Sequence, residues 1–121
     1  MLGESIAATY LEGKGFKILT RNFRKPWGEI DIIAEKGGTV RFVEVKTVSR
    51  ETLPDVTRES KDTSYRPEEM VHEAKLRKVA RTAELYMGDR GDSREFQIDV
   101  VGVFLVERLR KARCRLFEQV L

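Results

Sequence analysis

The chain has 121 residues, 40% of them hydrophobic and 36% charged, which suffices for one hydrophobic core and is too little for two. With 23 basic and 20 acidic residues the net charge is +3, so a polyanionic partner is allowed without being demanded, and no apolar run approaches the roughly 20 residues that span a bilayer. The opening MLGESIAATY does not read as an export signal, and the lone Cys114 has no internal disulfide partner, so the expectation is one cytoplasmic domain over residues 1–121 with no membrane partner. In chain order, Ala7, Ala8 and Leu11 mark the apolar stripe of a helix from Glu4 to Lys14, closed by Gly13 and Gly15. Phe16 to Phe23 reads as a strand, and Arg24, Lys25 and Pro26 lead from it into GEIDIIAEKGGTVRFVEVKT, residues 28–47. Within that stretch Ile30 to Ala34 and Val40 to Thr47 form two strands joined by Glu35-Lys36-Gly37-Gly38, a hairpin signal.

Residues 48–66 are polar, contain Pro54 and read as a long loop. Pro67 suits a first helical position and Glu68 and Glu69 the positive end of a helix dipole, so a second helix is expected from there to Met87. Its buried stripe is Leu76, Val79, Ala80, Ala83 and Met87, with His72 one turn before Leu76 on the same stripe. Phe96 to Leu105 is apolar nearly throughout and reads as a central strand, while Lys111 to Leu121 fits either strand or helix. Helix, three strands, helix, strand is the order of an α/β domain with a mixed sheet flanked by helices.

The charges inside the hairpin need a reason. Side chains alternate across a strand, so Glu29, Asp31 and Ile33 are expected on one face of the first strand, and Val40, Phe42, Glu44 and Lys46 on one face of the second. A turn around Lys36 to Gly38 pairs residues whose numbers sum to about 73 or 75. The first register sets Glu29 against Glu44; the second sets Asp31 against Glu44 and Glu29 against Lys46. Either way the acids and the lysine gather at one end of one face. Facing carboxylates repel, and burying them unpaired costs several kcal/mol or raises their pKa. A divalent cation such as Mg²⁺ or Mn²⁺ removes that penalty, and Lys46, about 6 to 7 Å beyond Glu44, would stand where an ammonium can hold an attacking water or stabilise phosphate charge. The same residues suit a plainer reading, Glu44 and Lys46 as an exposed ion pair worth under about 1 kcal/mol, and spacing alone does not separate the two. Glu4 lies on the helical stripe of Ala7, Ala8 and Leu11, either as a further carboxylate bordering the site or as an acid stabilising a helix start.

These residues carry a family resemblance. Gly3-Glu4, Ala7, Tyr10-Leu11, Gly15, Arg21-Asn22-Phe23-Arg24, the GEIDIIA of residues 28–34 and the FVEVKT of residues 42–47 resemble the YraN family of small bacterial proteins, and the match continues through Lys75, Ala83, Tyr86, Met87 and Ile98-Asp99-Val100-Val101. That family is similar to archaeal Holliday junction resolvases and to the PD-(D/E)XK nucleases, whose restriction-endonuclease-like αβββαβ core matches the order above. The resemblance implies that Asp31 is the motif acid, that Glu44 and Lys46 are its E-x-K, that Glu4 is the helix acid of the resolvase-like branch, and that Glu29 belongs to the GEID motif. It further implies Mg²⁺ or Mn²⁺ held by Asp31 and Glu44, DNA as partner, and a homodimer, because a resolvase cuts two strands. Ile30 stands where many of these nucleases carry proline.

Other residues carry weaker signals. Arg21, Arg24, Lys25 and Trp27 precede the acidic hairpin and form either a nucleic-acid contact or an ordinary solvated turn. Lys75 edges the second helix, within reach of a phosphate or simply solvated. Arg108, Arg110, Lys111, Arg113 and Arg115 form the densest basic cluster, a footprint extension or a solvated face, and Asp99 is expected to pair with one of them or to cap the sheet edge. The functional expectation is a metal-dependent endonuclease acting on DNA, including branched repair intermediates. The alternatives are a nucleic-acid-binding module that keeps the fold without chemistry, and a protein-interaction scaffold.

Overall fold

The computed structural model describes residues 2–49 and 70–121. Its elements are α1 (Leu2–Gly13), β1 (Lys17–Lys25), β2 (Gly28–Lys36), β3 (Thr39–Ser49), α2 (Glu73–Asp89), β4 (Phe96–Val106), a 3₁₀ turn (Glu107–Leu109) and β5 (Lys111–Phe117). The long polar loop expected over residues 48–66 begins with Val48 and Ser49, which extend β3; its remainder, and the expected helix start at Pro67, Glu68 and Glu69, lie outside the described residues.

The strands stand in the order β1-β2-β3-β4-β5, antiparallel except for the parallel pair β3 and β4. Between β2 and β3 the register is Ile32 with Val43 through Lys36 with Thr39, which selects the sum of 75. Residues 111–117, open between helix and strand in the sequence, pair with β4 as β5 because Cys114 and Leu116 alternate toward the core. Apolar residues of opposite parity then bury two layers. Ile33, Val40, Phe42, Ile98, Val100 and Phe104 pack against Leu76, Val79, Ala83, Tyr86 and Met87 of α2. Ile32, Ala34, Val43, Val101 and Val103 pack against Ala7, Ala8 and Leu11 of α1 on the opposite face. Sheet and helices thus bury an apolar layer on each side, the standard solution for an α/β domain.

The hairpin departs from strict alternation at one place. Ile30 and Ile33 both join the α2 layer although they are three positions apart, and Phe23, paired with Ile30, packs there too. Arg21, two residues earlier, pairs with Ile32, which faces α1. Both strands therefore change face between these pairs, at Asn22 on β1 and Asp31 on β2. Asn22 takes the left-handed conformation, with φ of 54°. Asparagine tolerates that region better than other residues with a Cβ, since its short polar side chain bonds locally. The RNFR run at residues 21–24 thus encodes a kink opposite the motif acid. Glu29 accordingly does not share a face with Asp31 and Ile33, as unbroken alternation had placed it.

Three further expectations are corrected. α2 begins at Glu73, with His72 outside it in an extended conformation (φ −61°, ψ 144°), so His72 is exposed and not part of the buried stripe; its carbonyl accepts the Leu76 amide at 3.1 Å. The stripe also includes Thr82 and Tyr86, while Ala80 is only partly buried. Thr82 lies against Gly28, where an added Cβ would come within 2.9 Å of the Thr82 Cβ, so α2 sits directly on the start of β2. Asp99, fully buried, pairs not with the C-terminal basic cluster but with Arg41 of β3 at 3.2 Å, and it also accepts bonds from Gln97 and the Gln119 amide.

The kink yields a stability prediction. Asn22→Val, a β-branched residue forced to positive φ, is expected to cost about 1–2 kcal/mol, whereas Asn22→Gly should be close to neutral. Urea denaturation of the three proteins checks this, and equal losses in both variants would mean that the asparagine side chain, not the backbone conformation, is what the position requires.

Candidate active site

Asp31 and Glu44 meet where the sheet divides. Below Ile32, β2 follows β1 down to the Lys25 and Gly28 pair, while beyond Val43, β3 follows β4 as far as the Ser49 and Leu105 pair. Beyond the pair Ile32 with Val43 no backbone pairing joins β2 to β3, and the Val45 amide donates instead to Asp31 Oδ2 at 2.9 Å. The two strands form a fork with one carboxylate on each prong.

Glu44 extends from the α2 face of β3, two residues after the fully buried Phe42, and its side chain is 13% exposed. Its pKa is raised to about 7, with burial the largest cause. The negative charge of Asp31 adds to that rise, Lys75 opposes it, a hydrogen bond donated by the neutral Glu44 carboxyl to Asp31 supports it, and Arg24 opposes it weakly. Lys75 Nζ stands 3.8 Å from Glu44 Oε2. On the other prong Arg24 lies 3.6 Å from Asp31 Oδ1 and 3.2 Å from Glu29 Oε1. Two acids in contact, flanked by two cations, form one coupled electrostatic unit.

The other candidate residues are placed differently. Glu29 is exposed, pairs with Arg24 across β1 and β2, and does not face Lys46, because the strands have already parted. Lys46 is exposed two residues beyond Glu44, and no carboxylate among the described residues pairs with it. Glu4 is 4% exposed, and its Oε1 is buried without a hydrogen-bond partner. It belongs to α1 on the far face of the sheet, where Gly3 abuts Thr47, the residue after Lys46. Among the described residues no three acidic, histidine or cysteine side chains are gathered as a metal-binding group, so Glu4 is not joined to the Asp31 and Glu44 pair in this conformation. Arg21 faces α1 and bonds Ser5 Oγ at 2.9 Å, apart from Lys25 and Lys75. Burial pushes the Cys114 thiol up to about 11, which leaves it a poor nucleophile.

Sequence reasoning missed Lys78 and Arg81. With Lys25, Trp27 and Lys75 they line a cleft of about 630 Å³ between the β1–β2 turn and α2. The three-residue spacing of Lys75, Lys78 and Arg81, one side of a helix, was the available signal.

Comparison with known proteins gives the family. Residues 3–103 match the family model described as "Uncharacterised protein family UPF0102". The chain belongs to UPF0102. A UPF0102 protein of Moorella thermoacetica is 38% identical over 112 residues, 92% of this chain and 84% of that protein. One from Persephonella marina is 38% identical over 103 residues, covering 84% of this chain and 78% of its own, and one from Campylobacter fetus is 38% identical over 99 residues, covering 82% and 77%. The YraN resemblance read from the motifs corresponds to UPF0102, and the matched segment contains the fork, both acids, Lys46, Lys75 and Glu4. Among the described residues no helix is long and apolar enough to cross a membrane.

The raised Glu44 pKa makes stability depend on pH with a definite sign. Between its ordinary value of 4.5 and about 7 the folded protein holds a proton that the unfolded chain has released, so raising the pH through that window destabilises the fold. In chelator, unfolding free energy is expected to fall by about 2 kcal/mol from pH 4.5 to 7.5 after allowance for solvent screening, and Glu44→Gln should flatten that slope. Urea midpoints across the pH range, intact protein against variant, give the measurement.

Proposed function

We propose that the fork is the active site of a metal-dependent phosphodiesterase acting on DNA. The single observation that carries this reading is the contact between the Asp31 and Glu44 carboxyls, which are tolerated together near neutral pH only because one retains a proton. A divalent cation would replace that proton and turn repulsion into attraction. The donor set fits Mg²⁺ or Mn²⁺: Asp31 and Glu44 offer two hard carboxylates in contact, with open positions left for water and a phosphate oxygen, while Glu4 stays outside that set. When bound, the metal would polarise the phosphate and lower the pKa of water.

The protein's own residues supply the rest. Asp31 is pinned by the Val45 amide and Glu44 directly follows the fully buried Phe42 and Val43, so both carboxyls are positioned before any ligand arrives. Lys46, uncommitted to any carboxylate among the described residues, is free to hold the attacking water and to stabilise charge on the phosphate as it builds. Lys75 balances Glu44 in the absence of ligand and can turn to a phosphate when the metal takes over that balance. Glu29 tethers Arg24, whose guanidinium also lies 3.6 Å from Asp31 and would be available to a phosphodiester bound there.

A second reading has an observation in its favour. No third acid joins Asp31 and Glu44 among the described residues, and Lys75 already occupies the approach to Glu44, as suits a nucleic-acid-binding module without chemistry. Labelled single-stranded, duplex, flapped and four-way-junction DNAs, incubated with Mg²⁺ or Mn²⁺, separate the two. The intact protein is expected to cut at least one of them, with Glu44→Ala and Lys46→Ala each reducing the rate by about 10²-fold or more while circular dichroism stays unchanged. Binding to these DNAs without cleavage would favour the second reading and end the enzymatic one.

A further inference from the structure

We propose that the cleft between the β1–β2 turn and α2 binds one strand of single-stranded DNA, with a base stacked on Trp27 and phosphates on Lys78 and Arg81. This deepens the hydrolytic reading and rests on it for the direction of the strand, which would run from the cleft past Lys75 to Glu44.

Charge is the first argument. Lys75, Lys78 and Arg81 rise along one side of α2 in steps of about 4.5 Å, and all three line the cleft. On the same helix Arg77 is neutralised by Glu73 at 3.2 Å and Lys75 is partnered by Glu44. Lys78 and Arg81 have no carboxylate partner among the described residues, and Glu29, the acid that also lines the cleft, is held by Arg24 at 3.2 Å, so the charge of Lys78 and Arg81 is available to a polyanion. The far flank of Trp27 is different: the neighbouring cleft there is lined by Glu84 and Asp89. A phosphate backbone passing Trp27 is therefore steered to one side of it.

Trp27 supplies the second argument. It is 43% exposed at the tip of the β1–β2 turn. It is nonetheless braced, edge to face, on Phe23 at 5.8 Å, which meets Tyr86 at 5.4 Å, which meets the fully buried Phe42 at 5.5 Å. An exposed indole anchored to the core through three aromatic rings is a rigid platform, and holding it in place costs little further entropy on binding. Duplex bases have both faces covered by their neighbours, so such a platform finds a partner only where a strand is unpaired. Cationic track and aromatic platform together are the two components of sequence-tolerant single-strand binding.

Trp27 is the only tryptophan of the chain, so its fluorescence reports on the cleft directly. Oligothymidylate about 12 nucleotides long, matched to a single-strand footprint, is titrated into the full chain in chelator at low salt. Saturable quenching that weakens as salt rises is expected. The double variant Lys78→Glu/Arg81→Glu should bind about tenfold more weakly or worse while its circular dichroism is unchanged, and a duplex of the same length should quench little. With a labelled oligonucleotide followed by anisotropy, Trp27→Ala should lose about tenfold in affinity and Trp27→Phe should recover part of it. Absence of quenching, equal quenching by duplex, or indifference to the charge reversals overturns the groove. The same preparation carried through the cleavage panel distinguishes the two readings: quenching without cleavage supports the groove and removes the hydrolytic reading, whereas cleavage without a Trp27 response removes the groove alone.

Discussion

A single bond, from the Val45 amide to the Asp31 carboxylate, stands where a backbone ladder between β2 and β3 would otherwise continue. Everything at the candidate site depends on it. With the amide satisfied by a side chain, β2 is free to leave with β1 and β3 to leave with β4, and the sheet can open without stranding a buried donor. Asp31 can serve in this way only because the chain kinks beside it, and the kink rests on a left-handed Asn22 in the neighbouring strand. A backbone conformation in one strand thus sets the aim of a carboxylate in the next.

Relative magnitudes explain why the site needs a further positive charge. Two full charges about 4 Å apart repel by roughly 4 kcal/mol at an effective dielectric of 20. Against this, Arg24 and Lys75 are partly exposed, and ion pairs of that kind return at most about 1 kcal/mol each. Burial, the larger cause, and this repulsion together leave Glu44 displaced upward to about 7 despite both cations. The flanking residues reduce the repulsion without cancelling it, and what remains is chemical potential for a proton or a metal ion.

Much of this was legible in the sequence, for reasons that differ by element. The αβββαβ order followed from helical and strand periods, and the Gly37-Gly38 turn narrowed the hairpin to two registers, one of which the structure has. The contact between Asp31 and Glu44 followed from that register. Glu29 was misplaced because alternation was extended through a kink that no period reveals; the clue was Asn22, which in a strand stands out only once positive φ is considered. Asp99 was assigned to the wrong cations because Arg41 lies 58 positions away in sequence and next to it in space. His72 was drawn into a helix because Pro67, Glu68 and Glu69 read as its start and His72 stands one turn before Leu76, although α2 starts only at Glu73. Lys78 and Arg81 went unnoticed because cations on a helix read as solvated until a facing wall, here the turn bearing Trp27, makes their side a cleft.

The last strand has a consequence for how copies of the protein can meet. β5 ends the sheet, and its Lys111, Arg113 and Arg115 fall at alternate positions on one face. Two such strands zipped edge to edge would set arginine directly opposite arginine or lysine, and facing like charges are among the more effective ways of stopping one sheet from growing into another. Electrostatic repulsion therefore works against pairing at this edge. A second copy of the chain would meet more resistance at the β5 edge than at β1, the opposite edge of the sheet, or at the helix surfaces.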